Sequence, residues 1–270
     1  KLGMFDISTY LPSKVVTNSD LQLEFLGYNF ERLGKKIGIE ERRICEANET
    51  PLDLAIKACE NLFEKVDKKV IDFVIYCTQS PEYYLPTTAC ILQDKLGLRK
   101  DCGAFDYNLG CSGYIYGLAM AKSFINSKLA SNVLLVTAEA YSKHIHSKDI
   151  TNRAIFGDGA TATLIKTSNV NQIGEFNLGS DGSGAENLIV KGGGGKAGFQ
   201  NSFKQEERLF MNGSEVFQFT LDNVPLSIND CLEKNELSKS EIDYFILHQA
   251  NRYMLNNCLV QCRTFYKLIY

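Results

Sequence analysis

The sequence has little of what several functional classes require. It has three histidines, and none of its nine cysteines forms a C-x-x-C pair, so a zinc site is not expected. No apolar run approaches the roughly 20 residues that a membrane-spanning helix needs. The net charge is only −3, so no global field would recruit nucleic acid or an anionic membrane.

Targeting signals are also missing. The first residues, Lys-Leu-Gly-Met-Phe-Asp, lack the apolar core and cleavage site of a signal peptide. The cysteines are odd in number and scattered over apolar segments, which is typical of a reducing compartment rather than of a disulfide scaffold. We therefore expect a cytoplasmic protein. Its 270 residues, 44% of them hydrophobic and 23% charged, allow one large globular domain or two smaller ones.

Strand patterns alternate with helix patterns through the first 167 residues, which predicts a layered α/β core. The pattern starts anew near residue 171. Predicted strands cover residues 2–10, 70–77, 102–107, 132–138, 161–166, 172–180 and 243–247. Predicted helices begin near residue 17 and cover about 50–65, 87–96, 111–127 and 212–234, and another opens at 248–251. A polar loop is expected to hold His144, His146, Lys148 and Arg153.

Cys111 lies at a predicted tight turn between the strand over 102–107 and the following helix. Backbone N–H groups and the positive end of the helix would surround its sulfur. Such an environment lowers a thiol pKa and makes a nucleophile. The alternative is a cysteine that packs as a small hydrophobic residue.

His248 follows a predicted strand and precedes a predicted helix, as Cys111 does. A single histidine there is often structural, but the carboxyl ends of core strands are where ligands bind in open α/β sheets. A basic cluster offers a third candidate site, either a solvated face or a contact to phosphate or a carrier protein. Its members are Arg32, Lys35, Lys36, Arg42 and Arg43.

Taken together, nine motifs resemble the β-ketoacyl-acyl carrier protein synthase III family of the thiolase superfamily. They occur in the family's order and extend over roughly residues 2–257. The matching segments are 8–12, 17–21, 38–42, 104–106, 110–113, 156–160, 180–182, 211–217 and 248–251.

The resemblance implies a thiolase fold of two related βαβ-rich halves in five α–β–α–β–α layers. Residues 1–170 would form the half with the nucleophile, and 171–270 an incomplete second half. It also implies a homodimer and a decarboxylating Claisen condensation that starts fatty-acid synthesis. Acyl-CoA and malonyl-acyl carrier protein would be substrates, with no permanently bound cofactor.

The resemblance also implies roles for individual residues. Cys111 would carry the acyl group, and His248 would donate a hydrogen bond to the malonyl thioester carbonyl. Arg153 would help hold the adenine of coenzyme A, with Lys36 as a second coenzyme A contact. Leu85 would project from one subunit into the acyl pocket of the other.

Three departures from the family pattern stand out. Arg32 replaces a usual tryptophan, so adenine stacking is expected to differ. Gln79 stands where the related hydroxymethylglutaryl-CoA synthases carry a glutamate that acts as a general acid. Because glutamine cannot supply a proton, this residue argues against that branch of the superfamily. After residue 257 the sequence departs from the family pattern, and it does not reach the Gly-Asn-Thr-Ser motif that the family carries further on. We therefore expect that residues 258–270 are a foreign tail or that the sequence is truncated.

Two alternatives to the condensing enzyme stay open at this point. One keeps Cys111 and His248 but transfers the acyl group to a different acceptor, in specialised or surface-sugar metabolism. The other is an inactive remnant, because the second catalytic asparagine is missing from the sequence.

Overall fold

The computed structural model describes residues 1–197 and 204–262. These fall into two compact units. The first comprises Lys1–Val15, Arg43–Tyr141 and Gly157–Gly174, and the second comprises Val16–Arg42, Ser142–Phe156 and the chain from Glu175. The predicted halves 1–170 and 171–270 stay a prediction. In the described ranges, no helix has the length and apolar character to cross a membrane.

Nine strands and nine α-helices make up the regular structure of the described residues. The strands are β1 (Leu2–Tyr10), β2 (Val15–Thr17), β3 (Glu41–Arg43), β4 (Phe73–Cys77), β5 (Gly103–Tyr107), β6 (Asn132–Glu139), β7 (Gly159–Thr167), β8 (Leu188–Val190) and β9 (Leu209–Met211). The helices are α1 (Asn18–Glu24), α2 (Phe30–Ile37), α3 (Pro51–Phe63), α4 (Thr88–Lys95), α5 (Gly113–Asn126), α6 (Ile150–Ile155), α7 (Gly194–Ala197), α8 (Gly213–Lys234) and α9 (Arg252–Cys262).

The first unit is built on a five-stranded mixed sheet in the order β1-β7-β6-β4-β5. The strand β4 pairs in parallel with β5 and β6, so that Phe73 faces Gly103 on one side and Val133 on the other. The strands β6 and β7, and β7 and β1, are antiparallel. All five strands were predicted from the sequence. The carboxyl ends of β4, β5 and β6 therefore lie at one edge.

Helices cover both faces of this sheet. The apolar side of α3 packs with α4 against one face, in a core that includes Leu54, Leu62, Val74 and Leu134. On the other face α5 lies very close to the strands. A Cβ on Gly117 would collide with the Leu135 side chain and lie 2.6 Å from the Tyr107 hydroxyl, so only glycine permits this approach.

The second unit depends on a buried arginine. The Arg42 guanidinium donates to the Val16 carbonyl at 3.1 Å, to Asn18 Oδ1 at 2.9 Å and to the Ala154 carbonyl at 2.7 Å. These bonds join the start of α1 to α6. Thr17 and Asp20 begin α1 with a capping box. Elsewhere in this unit, β8 and β9 form an antiparallel pair.

Two predicted strands in the later part of the chain are wrong. Residues 172–180 form no strand. The side chain of Asn235, at the end of α8, binds the backbone of this segment instead. Asn235 Oδ1 accepts from the Glu175 N–H at 2.7 Å, and the Asn235 side-chain amide donates to the Glu175 carbonyl at 3.0 Å. In 243–247 only Phe245 makes a bridge, and Ile246 is 74% exposed. A strand needs a neighbouring strand for its peptide groups.

One further correction concerns the polar segment near residue 150. Arg153 lies on α6 rather than in a loop, because the Asp149 side chain accepts the Asn152 N–H at 2.9 Å and caps a short helix. The predicted foreign tail falls partly on residues 263–270, outside the described residues. Up to Cys262 the chain is part of α9.

Asp106 on β5 provides the cap that α4 lacks locally. Thr87 at the N-cap makes no side-chain hydrogen bond. The Asp106 carboxylate accepts from the Thr88 N–H at 2.6 Å and from the Ala89 N–H at 2.5 Å. A negative charge at a helix N-terminus is favourable. The strand that leads to Cys111 is thereby joined to the helix that follows β4.

We expect Asp106→Ala to lower the free energy of unfolding by about 2 kcal/mol, because it leaves two N–H groups of α4 without their acceptor. Urea unfolding would measure the change. Asp101→Ala is the matched control: this aspartate forms an exposed pair with Arg99, and such pairs contribute less than about 1 kcal/mol. Equal effects of the two substitutions would contradict the capping role.

Candidate active site

Cys111 lies where the sequence predicts it, in the turn that joins β5 to α5. The Gly113 N–H donates to the Gly110 carbonyl at 2.8 Å, which closes a tight turn around Cys111. The residue is an exposed thiol. Ser112 is the N-cap of α5 and makes no side-chain hydrogen bond to the first turn. The sulfur-bearing residue is thus held at the positive end of a 14-residue helix.

The buried thiol of Cys77 contacts both sides of this turn. Cys77 Sγ donates to the Leu109 carbonyl at 3.2 Å, and burial raises the pKa of Cys77. The Tyr107 hydroxyl donates to the Gly113 carbonyl at 2.6 Å. A Cβ on Gly113 would collide with Cys77 Sγ. The end of β4 and the start of α5 are therefore in direct contact, and a side chain at residue 113 would collide with Cys77 as it is placed here.

Glu139, the last residue of β6, carries a partly buried carboxyl group beside the same edge of the sheet. It accepts the Gln79 N–H and, at 2.8 Å, the Ser80 hydroxyl. Burial raises the pKa of Glu139 to about 7, although these hydrogen bonds act in the opposite direction. The carboxyl group fixes the chain that follows β4.

Gln79 lies against the backbone that precedes Cys111. A Cβ on Gly110 would lie 2.8 Å from Gln79 Oε1. The Tyr141 hydroxyl donates to the same oxygen at 3.1 Å. Burial, followed by the negative charges of Glu139 and Cys111, raises the pKa of Tyr141 to about 12. The side chains of Gln79 and Tyr141 thus form a hydrogen-bonded pair beside the Cys111 turn.

The sequence reasoning missed this group, apart from noting Gln79 as a departure from the family. The signal was available: Gln79 comes two residues after the predicted buried strand 70–77, and Tyr141 comes three residues after the predicted buried strand 132–138. Parallel neighbouring strands bring such residues to one edge, which is the rule that pointed to Cys111 and His248.

His248 belongs to the second unit and is exposed. Its carbonyl accepts the Ala250 N–H at 2.9 Å. Asn251 Oδ1 accepts the Met254 N–H at 2.8 Å, as an N-cap side chain does at the start of α9. His248 therefore precedes a helix, as predicted, but follows an extended segment rather than a regular strand. Its partnership with Cys111 stays a prediction.

Arg153, the predicted adenine contact, is engaged with an acidic side chain. Its guanidinium contacts both carboxylate oxygens of Glu24, at 2.5 and 3.1 Å, and donates to the Ser147 carbonyl at 2.9 Å. It also lies 5.2 Å from the centre of the Phe25 ring. This bidentate geometry fixes the plane of the guanidinium.

Lys36, the second predicted coenzyme A contact, lies against the helix that follows His248. Its Nζ is 5.0 Å from the centre of the Tyr253 ring, and that ring stacks on Phe217 at 5.5 Å. Beside it, α1, α2 and Arg252 line a cleft of about 1200 Å³. No group of three or more metal-ligating side chains occurs among the residues that the structure describes.

Comparisons with known proteins identify the family to which the chain is similar. A family model described as 3-oxoacyl-[acyl-carrier-protein (ACP)] synthase III matches residues 105–182. The β-ketoacyl-[acyl-carrier-protein] synthase III of Caldanaerobacter subterraneus subsp. tengcongensis is 36% identical over 255 residues, which are 92% of this chain and 76% of the relative. That of Campylobacter fetus subsp. fetus is 37% identical over 256 residues, 93% of this chain and 77% of the relative.

This chain belongs to the β-ketoacyl-acyl carrier protein synthase III family. A crystal structure of a 3-oxoacyl-(acyl-carrier-protein) synthase III, 40% identical, superposes with a TM-score of 0.94 over 99% of this chain and 84% of that one. The thiolase-like α/β fold implied by the sequence motifs is thereby confirmed.

The contact between Cys77 and Gly113 gives a direct test of how the synthase III turn is held. We expect Gly113→Ala to displace the Cys111 turn, because the added methyl group occupies the position of Cys77 Sγ. Reaction of Cys111 with iodoacetamide should slow by about tenfold or more, an effect of roughly 1.4 kcal/mol. Peptide mass spectrometry would follow the labelling.

The double variant Cys77→Ala/Gly113→Ala is the control for this substitution. It removes the colliding sulfur and should restore labelling to near the wild-type rate. If the single and double variants label equally slowly, the contact is not what fixes the turn.

Glu139 predicts a pH dependence of stability. Because its pKa is raised from 4.5 to about 7 in the folded protein, the folded state binds more protons between these values. The contribution of Glu139 to stability is therefore complete below about pH 4.5 and is lost as the pH rises through about 7, by at most about 1.4 kcal/mol per pH unit.

Replacement of this glutamate removes the titrating group. We expect the stability of the wild type relative to Glu139→Gln to fall as the pH rises from about 5 to 8. Urea unfolding across this range measures the difference, with the exposed Glu233→Gln as the control. A difference that is constant with pH would show that Glu139 keeps an ordinary pKa.

Proposed function

We propose that this chain catalyses a decarboxylating Claisen condensation, in which an acyl group from acyl-CoA is joined to malonyl-acyl carrier protein to give a 3-oxoacyl-acyl carrier protein. The observation that carries the proposal is the similarity over more than nine-tenths of the chain to relatives named β-ketoacyl-[acyl-carrier-protein] synthase III. Such a reaction starts fatty-acid synthesis.

Cys111 is the proposed nucleophile. Its sulfur attacks the acyl carbonyl of acyl-CoA and forms a new carbon–sulfur bond. The bond from the acyl carbon to the sulfur of coenzyme A breaks, and coenzyme A leaves as the thiol with the proton that the cysteine gives up. Exposure of Cys111 at the start of α5 supports this role, because N–H groups at a helix N-terminus favour developing negative charge. Coenzyme A is a substrate in this scheme and not a resident cofactor.

His248 is the proposed hydrogen-bond donor in the second step. The malonyl group loses carbon dioxide, and a neutral imidazole stabilises the enolate that forms on the thioester oxygen. The enolate carbon then bonds to the acyl carbon, and the bond to Cys111 sulfur breaks. The place of His248 just before α9 supports the role, as does its motif His-Gln-Ala-Asn.

Lys36 and Arg153 are the proposed coenzyme A contacts. Lys36 is exposed on α2 and can reach a phosphate without leaving the Tyr253 ring. Arg153 would keep Glu24 as its partner and offer the remaining face of the guanidinium to the adenine. The scheme also needs a carrier protein, for which the basic residues around α2 are candidates.

A homodimer and a cytoplasmic location complete the proposal. Three consecutive large side chains after β4 are exposed: Tyr83 by 60%, Tyr84 by 63% and Leu85 by 82%. Contiguous apolar surface of this kind is typical of an interface. The strand β5 is also at the edge of its sheet, where its outer peptide groups can pair with another chain.

The test uses acetyl-CoA and malonyl-acyl carrier protein. We expect an acetylated Cys111 peptide, carbon dioxide release and a 3-oxoacyl product. Cys111→Ala should abolish acetylation, whereas Cys90→Ala, at another exposed cysteine, should not. His248→Ala should leave acetylation intact and slow condensation by about 10²–10³-fold, since one donor to the enolate oxygen is lost.

Other outcomes identify the alternatives. Acetylation of Cys111 without carbon dioxide release would favour transfer to a different acceptor. If Cys111 is not acetylated and labels with iodoacetamide no faster than the other cysteines, the chain is not an enzyme of this class.

A further inference from the structure

The side chain of Gln79 is fixed at both ends beside the Cys111 turn. Its backbone N–H is bound by Glu139, and the Ser80 N–H is bound by Thr78 Oγ1 at 2.9 Å. At the far end, Tyr141 binds the amide oxygen at 3.1 Å. These hydrogen bonds restrain Gln79 at its backbone and at its amide oxygen.

The orientation of the Gln79 amide leaves its nitrogen as the group that can donate a hydrogen bond to a ligand. Because the Tyr141 hydroxyl donates to Oε1, the two N–H bonds of Nε2 point elsewhere, and Nε2 makes no hydrogen bond within the described part of the chain. Oε1 lies against Gly110, the residue that precedes Cys111. The donor Nε2 would lie 3.7 Å from a Cβ on Gly110, so it is also beside the turn that carries Cys111.

We propose that Gln79 is a specificity-determining residue that selects acyl groups with a hydroxyl or oxo oxygen on the third carbon over purely aliphatic ones. This inference rests on the proposed function, since it concerns the acyl group on Cys111. The third carbon lies only two bonds from the thioester carbonyl, so an oxygen there is close to the Cys111 turn.

The selection has a simple physical cause. In the empty site, solvent can satisfy the Gln79 amide. An aliphatic acyl group displaces that solvent and offers no acceptor, which leaves a polar group desolvated without a partner. An oxygen on the third carbon accepts the N–H bond instead. Sites that hydrogen-bond a substrate group in this way discriminate against the analogue that lacks it.

The test compares two coenzyme A thioesters of the same shape. In 3-hydroxybutyryl-CoA a hydroxyl occupies the place of one methyl group of 3-methylbutyryl-CoA. We expect the wild type to be acylated at Cys111 about tenfold faster by the hydroxy compound, measured by mass spectrometry of the intact protein. In Gln79→Leu, which keeps the size and the backbone N–H, the ratio should fall to about one or below.

Two further variants separate specificity from structure. Tyr141→Phe frees the amide without removing it, and should reduce the preference by roughly threefold. Gln218→Leu is the control, since this glutamine is on α8 and bonds Asp222 at 2.9 Å. It should keep the wild-type ratio. Acetylation by acetyl-CoA in each variant shows that the nucleophile and the fold are intact.

The outcomes distinguish this inference from the proposed function. If acetyl-CoA acylates Cys111 but the wild type does not prefer the hydroxy compound, or if Gln79→Leu keeps the preference, Gln79 does not select the acyl group and the condensing activity still stands. If no thioester acylates Cys111 in the wild type, both proposals fail.

Discussion

The parallel pairing of β4 with β5 on one side and β6 on the other is the constraint on which the site in the first unit depends. Parallel strands end at a common edge, so residues distant in sequence meet there without further instruction. Each strand contributes part of the site: Cys77 and Gln79 are at the end of β4, the Cys111 turn follows β5, and Glu139 and Tyr141 are at the end of β6. A register slip in either pairing would separate these residues, because alternate residues face opposite sides of a sheet.

Polar and apolar contacts have different tasks at this edge. The tight packing of Cys77 on Gly113 sets the position of the turn by steric repulsion, which rises steeply over a short distance. The hydrogen bonds of Glu139 and Tyr141 set the orientation of Gln79. Burial of the Glu139 carboxyl group is costly when the group is charged. Its oxygens accept hydrogen bonds from two donors in the segment that follows β4. A titrating carboxyl thus lies at the same edge of the sheet as a nucleophile whose reactivity depends on its own protonation state.

Much of this could be predicted from the sequence where local patterns are strong. The continuous apolar run before Thr78 predicted β4, and Thr50-Pro51 predicted the start of α3, because capping chemistry is local. The turn at Cys111 followed from the strand and helix on either side. The segments 172–180 and 243–247 misled the prediction, since a strand exists only where a neighbour accepts its peptide groups. The strand ends indicate that Gln79 and Tyr141 lie at one edge, but whether their side chains meet depends on register and rotamer, so the hydrogen bond between them could not be predicted.

The bonds of Arg42 have a consequence for how the chain is made. The guanidinium is buried and binds the carbonyl of Ala154, 112 residues further along. A buried cation without acceptors is costly, so residues 16–42 cannot adopt their final packing while that carbonyl is still unsynthesised. Domains usually fold from the N-terminus during translation. Here an early segment must wait for a late one, and its apolar residues such as Leu21 and Phe30 stay uncovered in that interval.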